Sequence, residues 1–400
     1  STNLVYGSTY KIKVTTDVKD LAGNNLATTY LTSTGFSTAR AFSKIAAGAY
    51  HSCAIYNDSS LKCWGLNAKG QLGDGTTTNR LTPVSVSNIT NPIEIAVGGQ
   101  TNYASCAIIY GGTIKCWGDN DYGQLGDGTT TQRNTPVSVS SITNASKIFL
   151  SKYDHSCALL DNSSVSCWGR NNYGQLGDGT TTDRTTPIIV NNISTATDLA
   201  LGHSHSCALL SDESVKCWGW NSDGGLGDGS TTNRTSPVSL IGATSVKDIA
   251  AVFRSTCVLY KNGTVKCVGQ NNFGQLGDGT KTGRTSLVSG TGITNGTKIV
   301  GGAGNYCVLL SDSTIKCWGS NERGQLGDGT TTEKLSPVTA TGISNAIDIS
   351  ANGSEVPNDG VSCAILSDNS AKCWGVNNYG QVGIGTASTN VTVPTLLQHQ

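Results

Sequence analysis

Ser156-Cys157-Ala158-Leu159-Leu160-Asp161-Asn162-Ser163-Ser164-Val165-Ser166-Cys167-Trp168-Gly169 decides the fold of this chain. Two short runs of strand-forming residues flank a four-residue polar turn, which reads as a β-hairpin. A hairpin centred on that turn sets Cys157 directly opposite Cys167, and opposed positions of an antiparallel pair bring Cβ atoms within disulfide reach. The same spacing recurs in Cys53 with Cys63, Cys106 with Cys116, Cys207 with Cys217, Cys257 with Cys267, Cys307 with Cys317 and Cys363 with Cys373, so all 14 cysteines fall into such pairs. One local disulfide per repeat is expected. Each closes a loop of about eleven residues and is worth about 2–3 kcal/mol in the chain-entropy account. A zinc site needs closer spacing and a second ligand pair, so no metal is expected there.

The pairs recur roughly every fifty residues, a period that signals a solenoid, a propeller or an array. After each hairpin comes a Gly-rich run such as Asn171 to Thr182, a Pro-Val-type strand (Pro83-Val84, Pro136-Val137, Pro187-Ile188) and an alternating segment such as Asp248-Ile249-Ala250-Ala251. About four short strands per unit follow, and no stretch carries a helical period. Seven four-stranded sheets in an all-β chain point to a seven-bladed propeller, which hides its sheet edges by radial repetition. Val391-Thr392-Val393-Pro394 matches the Pro-Val strand but has no inner strand after it, so it is expected to pair with the first blade, Ala39 to Gly48, and close the ring end to end.

The run from Ile45 to Ile55, the Cys-Trp-Gly-x-Asn-x-x-Gly-Gln-Leu-Gly run from Cys63 to Gly73, and Pro83-Val84 together resemble the repeat of the regulator-of-chromosome-condensation family. Gly-Gln-Leu-Gly stands in five units, with variants at Gly224-Gly225-Leu226-Gly227 and Gly380-Gln381-Val382-Gly383, and the resemblance covers about nine-tenths of the chain. It implies a seven-bladed propeller, in agreement with the strand count. The fold serves exchange factors, light sensors and inhibitors, so it does not by itself give the function.

Lys plus Arg equal Asp plus Glu at 27 each, and charged residues make up only 14% of the chain. That leaves no basic field for nucleic acid or an anionic membrane, and no apolar run approaches the roughly eighteen residues a membrane helix needs. Gly at 50 of 400 suits many tight turns. Paired cysteines in a chain this long persist in an oxidising compartment, which points to an extracellular or cell-surface protein. No Met occurs, so Ser1 is expected to be the start of a processed or partial piece of a longer precursor. Ten Asn-x-Ser/Thr sequons match the number expected by chance for this composition. Residues 1–38 break the repeat: strands at Tyr10 to Thr16 and Thr29 to Thr38 around the Val18 to Asn24 turn look like the carboxyl-terminal part of a bacterial Ig-like module. The domains expected are therefore 1–38 and a propeller over 39–400.

The repeated side chains suit structure. Trp64, Trp117, Trp168, Trp218, Trp318 and Trp374 occur once per unit, with Val268 in the fifth, as blade-to-blade packing requires, and light-sensing relatives use additional interface Trp that this pattern does not supply. Asp74 and its equivalents in Gly-Asp-Gly are expected to cap their own turns, since the spacing is not that of a calcium loop. The Asn at 67 and its equivalents have the same role. His51, His155 and His205 repeat with the fold in different blades, with no nucleophile and orienting acid converging on any of them. Neither catalysis nor a cofactor is expected.

What varies between units is the better guide to a site. Tyr50, Tyr103, Tyr153, His203, Phe253, Arg254 and Tyr306 lie between the inner-strand Gly and the Ser-Cys, on one rim near the axis, and Trp220 stands where other units have Leu66, Asp119 or Arg170. Aromatic residues and Arg are the usual anchors of interfaces. Two insertions, Gln100 to Ser105 and Ser354 to Gly360, make that rim asymmetric. The expectation is a non-enzymatic secreted or surface module that binds a protein or glycan through the rim. The alternatives are a subunit of an extracellular fibre built by strand exchange between neighbouring copies, and a secreted enzyme inhibitor.

Overall fold

The computed structural model describes residues 42–398 apart from residue 100 and residues 355–358, together with short pieces of residues 9–37. Every unit supplies one sheet of four sequential antiparallel strands, and seven sheets form a propeller. In the first blade the strands are Phe42–Ala47, His51–Tyr56, Leu61–Gly65 and Arg80–Ser85, from the axis outwards.

Hairpin register sets each cysteine pair face to face, as in Cys157↔Cys167. All seven expected bridges form: Cys53 with Cys63, Cys106 with Cys116, Cys157 with Cys167, Cys207 with Cys217, Cys257 with Cys267, Cys307 with Cys317 and Cys363 with Cys373. Their Cα atoms lie 4.0–4.1 Å apart, and no bridge links one blade to another. The turn inside the third bridge holds Ser163 at φ 63°, and the Asn162 carboxamide oxygen accepts from the Ser164 N–H. Asn is suited to that role because its side chain bonds the backbone two residues on.

The expected pairing of the chain ends does not occur. Ser388–Leu396 pairs with Ala371–Asn377 as the outer strand of the seventh blade, and the first blade has its own outer strand, Arg80–Ser85. The repeat frame explains this. A unit begins at its inner strand and ends at its Pro-Val strand, so the propeller itself starts and stops on a unit boundary and its last strand needs no partner in the first blade. The ring closes instead by face packing: Trp64 Nε1 donates to the Gln381 carbonyl at 3.0 Å, Ser52 Oγ to the same carbonyl at 2.9 Å, and the Phe42 N–H to Asn369 O at 3.0 Å.

That contact is the general joint of the ring. Trp117, Trp168, Trp218, Trp318 and Trp374 each donate their indole N–H to the Gln carbonyl of the preceding blade at 2.9 Å, and all six tryptophans are at most 1% exposed. A buried indole needs a partner for its N–H, and the joint supplies it. Gly126, at φ +69°, shows why the motif demands glycine beside the Gln: a Cβ there would lie 2.8 Å from Trp168 Nε1. One joint differs. Between the fourth and fifth blades both partners change together, to Gly225 and Val268, so the indole bond is lost and what remains is the hydroxyl bond that Ser makes beside the Trp in most joints, here Thr256 Oγ1 to the Gly225 carbonyl at 2.8 Å. A Cβ at Gly225 would sit 2.6 Å from Arg254 O, so a Gln fits there only if that turn shifts.

The remaining repeated residues act locally, as their spacing suggests. Asp127 Oδ1 accepts from Thr129 N at 2.9 Å and Asp127 Oδ2 holds Arg133, a partner six residues on that recurs in most blades. Asn120 bonds the Thr129 and Thr131 carbonyls and the Leu125 N–H. His51, His155 and His205 are buried and bridge to Ser105, Ser206 and Thr256 of the next blade at 2.8–3.0 Å. Burial drives all three far below the usual histidine range, so they are neutral imidazoles.

In the amino-terminal segment, Thr9–Tyr10 pairs with Phe36–Ser37 and Lys13–Val14 with Tyr30–Leu31, and Lys19 bridges Asn25, so the described pieces trace one interrupted two-stranded ribbon. Among the described residues no helix is long and apolar enough to cross a membrane.

Trp168→Ala is expected to destabilise the propeller by about 3–5 kcal/mol, the usual cost of emptying a buried aromatic site, read as a shift in the urea midpoint. A midpoint within about 0.5 kcal/mol of the parent would show that the joints do not carry the ring.

Candidate interaction rim

Two connections from every blade reach the same rim: the turn from the inner to the second strand, and the Gly-rich loop after the third strand. One backbone bond stitches them together in each of these blades, for example Leu66 N to Tyr50 O, Arg170 N to Asp154 O and Trp220 N to Ser204 O, each at 2.8 Å. The repeat thus builds a rigid collar and leaves the variable side chains to stand on it.

Those side chains form a nearly continuous arc. Tyr50 lies 5.5 Å from Tyr103 and 6.2 Å from Tyr379, ring centre to ring centre, and donates to Ser354 Oγ at 3.2 Å. Beside them Lys69 pairs with Asp119 at 3.1 Å and Asp121 at 3.3 Å. The Arg170 guanidinium lies between the Tyr122 and Tyr153 rings at 4.4 and 4.3 Å, and Tyr153 stacks on His203 at 4.1 Å. Trp220 meets Tyr173 edge-on at 4.3 Å, lies under Arg254 at 5.2 Å and donates to Asp223 at 3.2 Å. Aromatic faces attract cations in this arrangement, which fixes long Arg side chains in place before any partner arrives.

Not every expected residue stands on the rim. Phe253 and Tyr306 are fully buried. Phe253, at φ +29°, turns inwards, where a Cβ at Gly304 would lie 3.1 Å from its ring. Tyr306 occupies the strand position held by Ser or Thr in the other blades, and its hydroxyl lies 3.0 Å from Ser255 Oγ and accepts from the Val252 N–H at 3.3 Å. It directly precedes Cys307, so it belongs to the strand rather than to the turn before it. The other six expected residues, Tyr50, Tyr103, Tyr153, His203, Trp220 and Arg254, are partly exposed. Sequence reasoning missed Tyr122, Arg170, Tyr173 and Tyr379, which come from the second rim loop. Their signal was present: these positions of Trp-Gly-x-Asn-x-x-Gly vary among repeats as the first loop does. Residue 100 and residues 355–358 of the insertions lie outside the described residues; of the rest, Thr101 donates to Asp154 at 2.9 Å and Asp359 holds Arg323 at 2.9 Å.

Burial sets the electrostatics of this collar. It pushes the Tyr50 hydroxyl up to about 12, lowers His203 to about 3 and raises the Asp154 carboxyl to about 7, against the opposing Thr101 bond and the Arg170 charge. No group of three or more His, Cys, Asp or Glu that could hold a metal ion occurs among the described residues.

A cystine-bridged propeller with a preorganised aromatic and Arg collar is a scaffold for interaction. The chain belongs to the regulator of chromosome condensation (RCC1) repeat family: two forms of the repeat match, one over residues 61–104, 112–159, 164–209 and 317–354, the other over 42–71, 148–175, 196–224, 246–275 and 297–325. This is a protein-interaction fold. Similar proteins include the human probable E3 ubiquitin-protein ligase HERC4, 33% identical over 40% of this chain and 15% of its own length, and the Arabidopsis thaliana ultraviolet-B receptor UVR8, 30% identical over 36% of this chain and 33% of its own. The matched stretch is thus a minor part of either relative. Among solved structures, yeast RCC1 (Prp20) bound to Kap60 superposes with a TM-score of 0.73 at 20% identity over 90% of this chain and 85% of that one. Human WBSCR16 does so with a TM-score of 0.71 at 19% identity over 85% and 89%. These structural likenesses show the fold alone.

Asp154 gives a pH test of the collar. Its carboxyl titrates near 7 in the folded chain against about 4 when unfolded, so folding holds its proton more tightly and stability falls as pH rises from about 4 to 7. Asp154→Asn is expected to remove a decline of a few kcal/mol across that window, measured by urea unfolding at each pH; an unchanged slope would place the carboxylate in a solvated setting.

Proposed function

We propose that this chain is a non-enzymatic interaction module of an extracellular or surface-displayed protein, and that it binds a protein partner through the aromatic rim. The arc of ordered aromatic–cation pairs carries this reading. Interfaces draw most of their energy from a few Trp, Tyr and Arg side chains, and here they are held in place before binding, which lowers the entropy lost on association. A glycan is the second candidate ligand, since Tyr and Trp faces with neighbouring Arg and Asp groups also suit sugar rings. Seven disulfides, with no free cysteine among the described residues, support an oxidising compartment. The relatives carry the same fold to different ends. The Saccharomyces cerevisiae protein Prp20p, whose structure is described with its binding properties to Gsp1p and histones, shares it at a TM-score of 0.73 and 21% identity.

Residues 1–38 are read as a separate Ig-like module and 39–400 as the propeller. The two-stranded ribbon in the first segment favours a secondary reading as a fibre subunit, because a ribbon leaves strand edges free for addition from another chain. Inhibition of a secreted enzyme is a further use of the same rim.

The test is capture from the secreted and surface fraction of the producing cells with immobilised protein, set against a variant carrying Tyr50→Ala, Tyr103→Ala, Tyr153→Ala and Trp220→Ala. The variant is expected to lose more than about 2 kcal/mol of affinity for the captured partner while its thermal transition stays cooperative. Equal capture by both proteins would move the site off the rim.

A further inference from the structure

The inner strands of the seven blades surround an axial cavity of about 340 Å³. Its two ends differ in charge. The acidic side chains that line it, Glu94 and Asp348, lie at the end away from the rim, and each pairs with a lysine there, Glu94 with Lys44 and Asp348 with Lys298. The polar side chains at the rim end are Lys152, Ser350 and Asn352, and no carboxylate among the described residues lines the cavity beside them.

Lys152 leaves the third blade and reaches across the bore, donating to Ala251 O of the fifth blade at 3.1 Å and to Gly301 O of the sixth at 3.5 Å. It is only 4% exposed. An ammonium carries three N–H groups, and the third finds no acceptor among the described residues. The corresponding residue in other blades is Ala49, His203, Phe253 or Ala303, so the repeat does not require a lysine here. Nor does capping a free edge carbonyl require a charge, since Asn352 does it for Val97 O at 2.9 Å with a neutral amide. An ammonium buried without a counter-ion costs more than an amide in the same position, which a purely structural role leaves unexplained.

The groups around Lys152 are donors. The Ser350 hydroxyl accepts the Ala47 N–H at 3.1 Å, which leaves its own O–H free to donate. The Asn352 amide uses one N–H on Val97 O and keeps a second. The backbone adds to these, because each residue of an antiparallel strand turns its N–H and C=O to the same side. The oxygens of Val97, Ala251 and Gly301 face the bore, where Asn352 and Lys152 reach them, so the N–H groups of the same residues face it too. The rim end of the cavity thus combines one positive charge with several donors and no acid, and the strand edges along the bore present backbone donors and acceptors in turn.

We propose that the axial cavity binds a small hydroxylated carboxylic acid, with its carboxylate on Lys152, Ser350 and Asn352 at the rim end and its hydroxyl groups along the strand edges. The ligand supplies the counter-ion that Lys152 lacks, and its hydroxyls satisfy edge groups that a hydrocarbon chain would leave unpaired. Burial lowers the Lys152 ammonium to about 7. The carboxylate needs the charged form, so affinity is full below that pH and is lost as pH rises through it. Of the other titratable groups near Lys152, burial lowers His203 to about 3 and His205 to about 4, so both stay neutral, and the charged groups that line the cavity are paired at the far end.

Isothermal titration of the full chain with gluconate, hexanoate and sorbitol, at constant ionic strength, tests this. Gluconate is expected to bind at least about tenfold more tightly than hexanoate, which lacks the hydroxyls, or sorbitol, which lacks the charge. Its affinity is expected to fall at least about tenfold between about pH 6 and about pH 9, a range in which ordinary lysines keep their charge. Lys152→Met is expected to bring gluconate down to the level of sorbitol and to remove the pH dependence. Equal binding of gluconate and either other probe, no binding of gluconate at millimolar concentration, a pH-independent affinity, or unchanged affinity in the folded Lys152→Met protein would each overturn the proposal. If Lys152→Met does not fold, the ranking of the probes and the pH dependence on the parent protein decide alone.

Discussion

The joint between blades, an indole N–H of one blade on the Gln carbonyl of the blade before it, is the contact on which the ring depends. A four-stranded sheet of short strands has two faces and no core of its own. It becomes stable only when both faces are covered, and each blade covers one face of its neighbour. The Trp supplies the largest buried area in the blade, and its single polar atom fixes the distance and angle of approach. The disulfide behind it serves the same end. By tying the hairpin that carries the Trp, it keeps the donor aimed at a carbonyl some 43–49 residues away in sequence in most blades. Between the seventh and first blades the same bond spans 317 residues, so ring closure uses no device that the other joints lack.

Much of this was legible in the chain. Opposed cysteines at a fixed spacing, from Cys53 and Cys63 through to Cys363 and Cys373, gave the hairpin, its pairing and the blade count, because register in a tight hairpin is set by the turn. The end of the chain was misread for a reason of framing: a cyclic pattern can be cut at any point, and nothing in Val391 to Pro394 says whether a unit begins or ends there. The structure cuts it after the Pro-Val strand. Phe253 and Tyr306 failed on a related ground. Their positions were counted from the nearest motif, whereas a one-residue change in a strand moves a side chain to the opposite face, and a positive φ turns one inwards. In the second rim loop only Trp220 was singled out: Arg170 was named merely as its counterpart, and Tyr122, Tyr173 and Tyr379 stand at a variable position between a strictly repeated Asn and Gly.

The Gly225 and Val268 joint shows how the repeat tolerates loss. A lone Trp-to-Val change would leave a void beside the neighbouring blade, yet here the partner Gln has gone as well, and Gly225 lies so near Arg254 O that a Cβ there would be 2.6 Å from it. Thr256 keeps the hydroxyl bond to the Gly225 carbonyl, the bond that Ser makes to the Gln carbonyl in most other joints. Arg254, beside this joint, lies over the Trp220 ring of the fourth blade. The non-repeat tryptophan of the rim thus meets the same Arg254 whose carbonyl borders the joint that lacks the repeat tryptophan.

Where seven copies agree, a residue answers to the needs of the blade; where one copy departs, the blade does not explain it. Tyr306 departs and is absorbed, since its ring lies near Trp318 and its hydroxyl is satisfied. Arg170 and Trp220 depart on the rim, where Arg170 is ordered by Tyr122 and Trp220 by Arg254 without filling any hole in the core. Lys152 departs at the axis, and there the physical balance is least favourable, because an ammonium has left water for two carbonyl dipoles. Dipoles at 3.1 and 3.5 Å return only part of what hydration gave, and the neutral amide of Asn352 does the same capping at lower cost. Lys152 is thus the deviation most expensive to the fold, and no other copy of the repeat shares it.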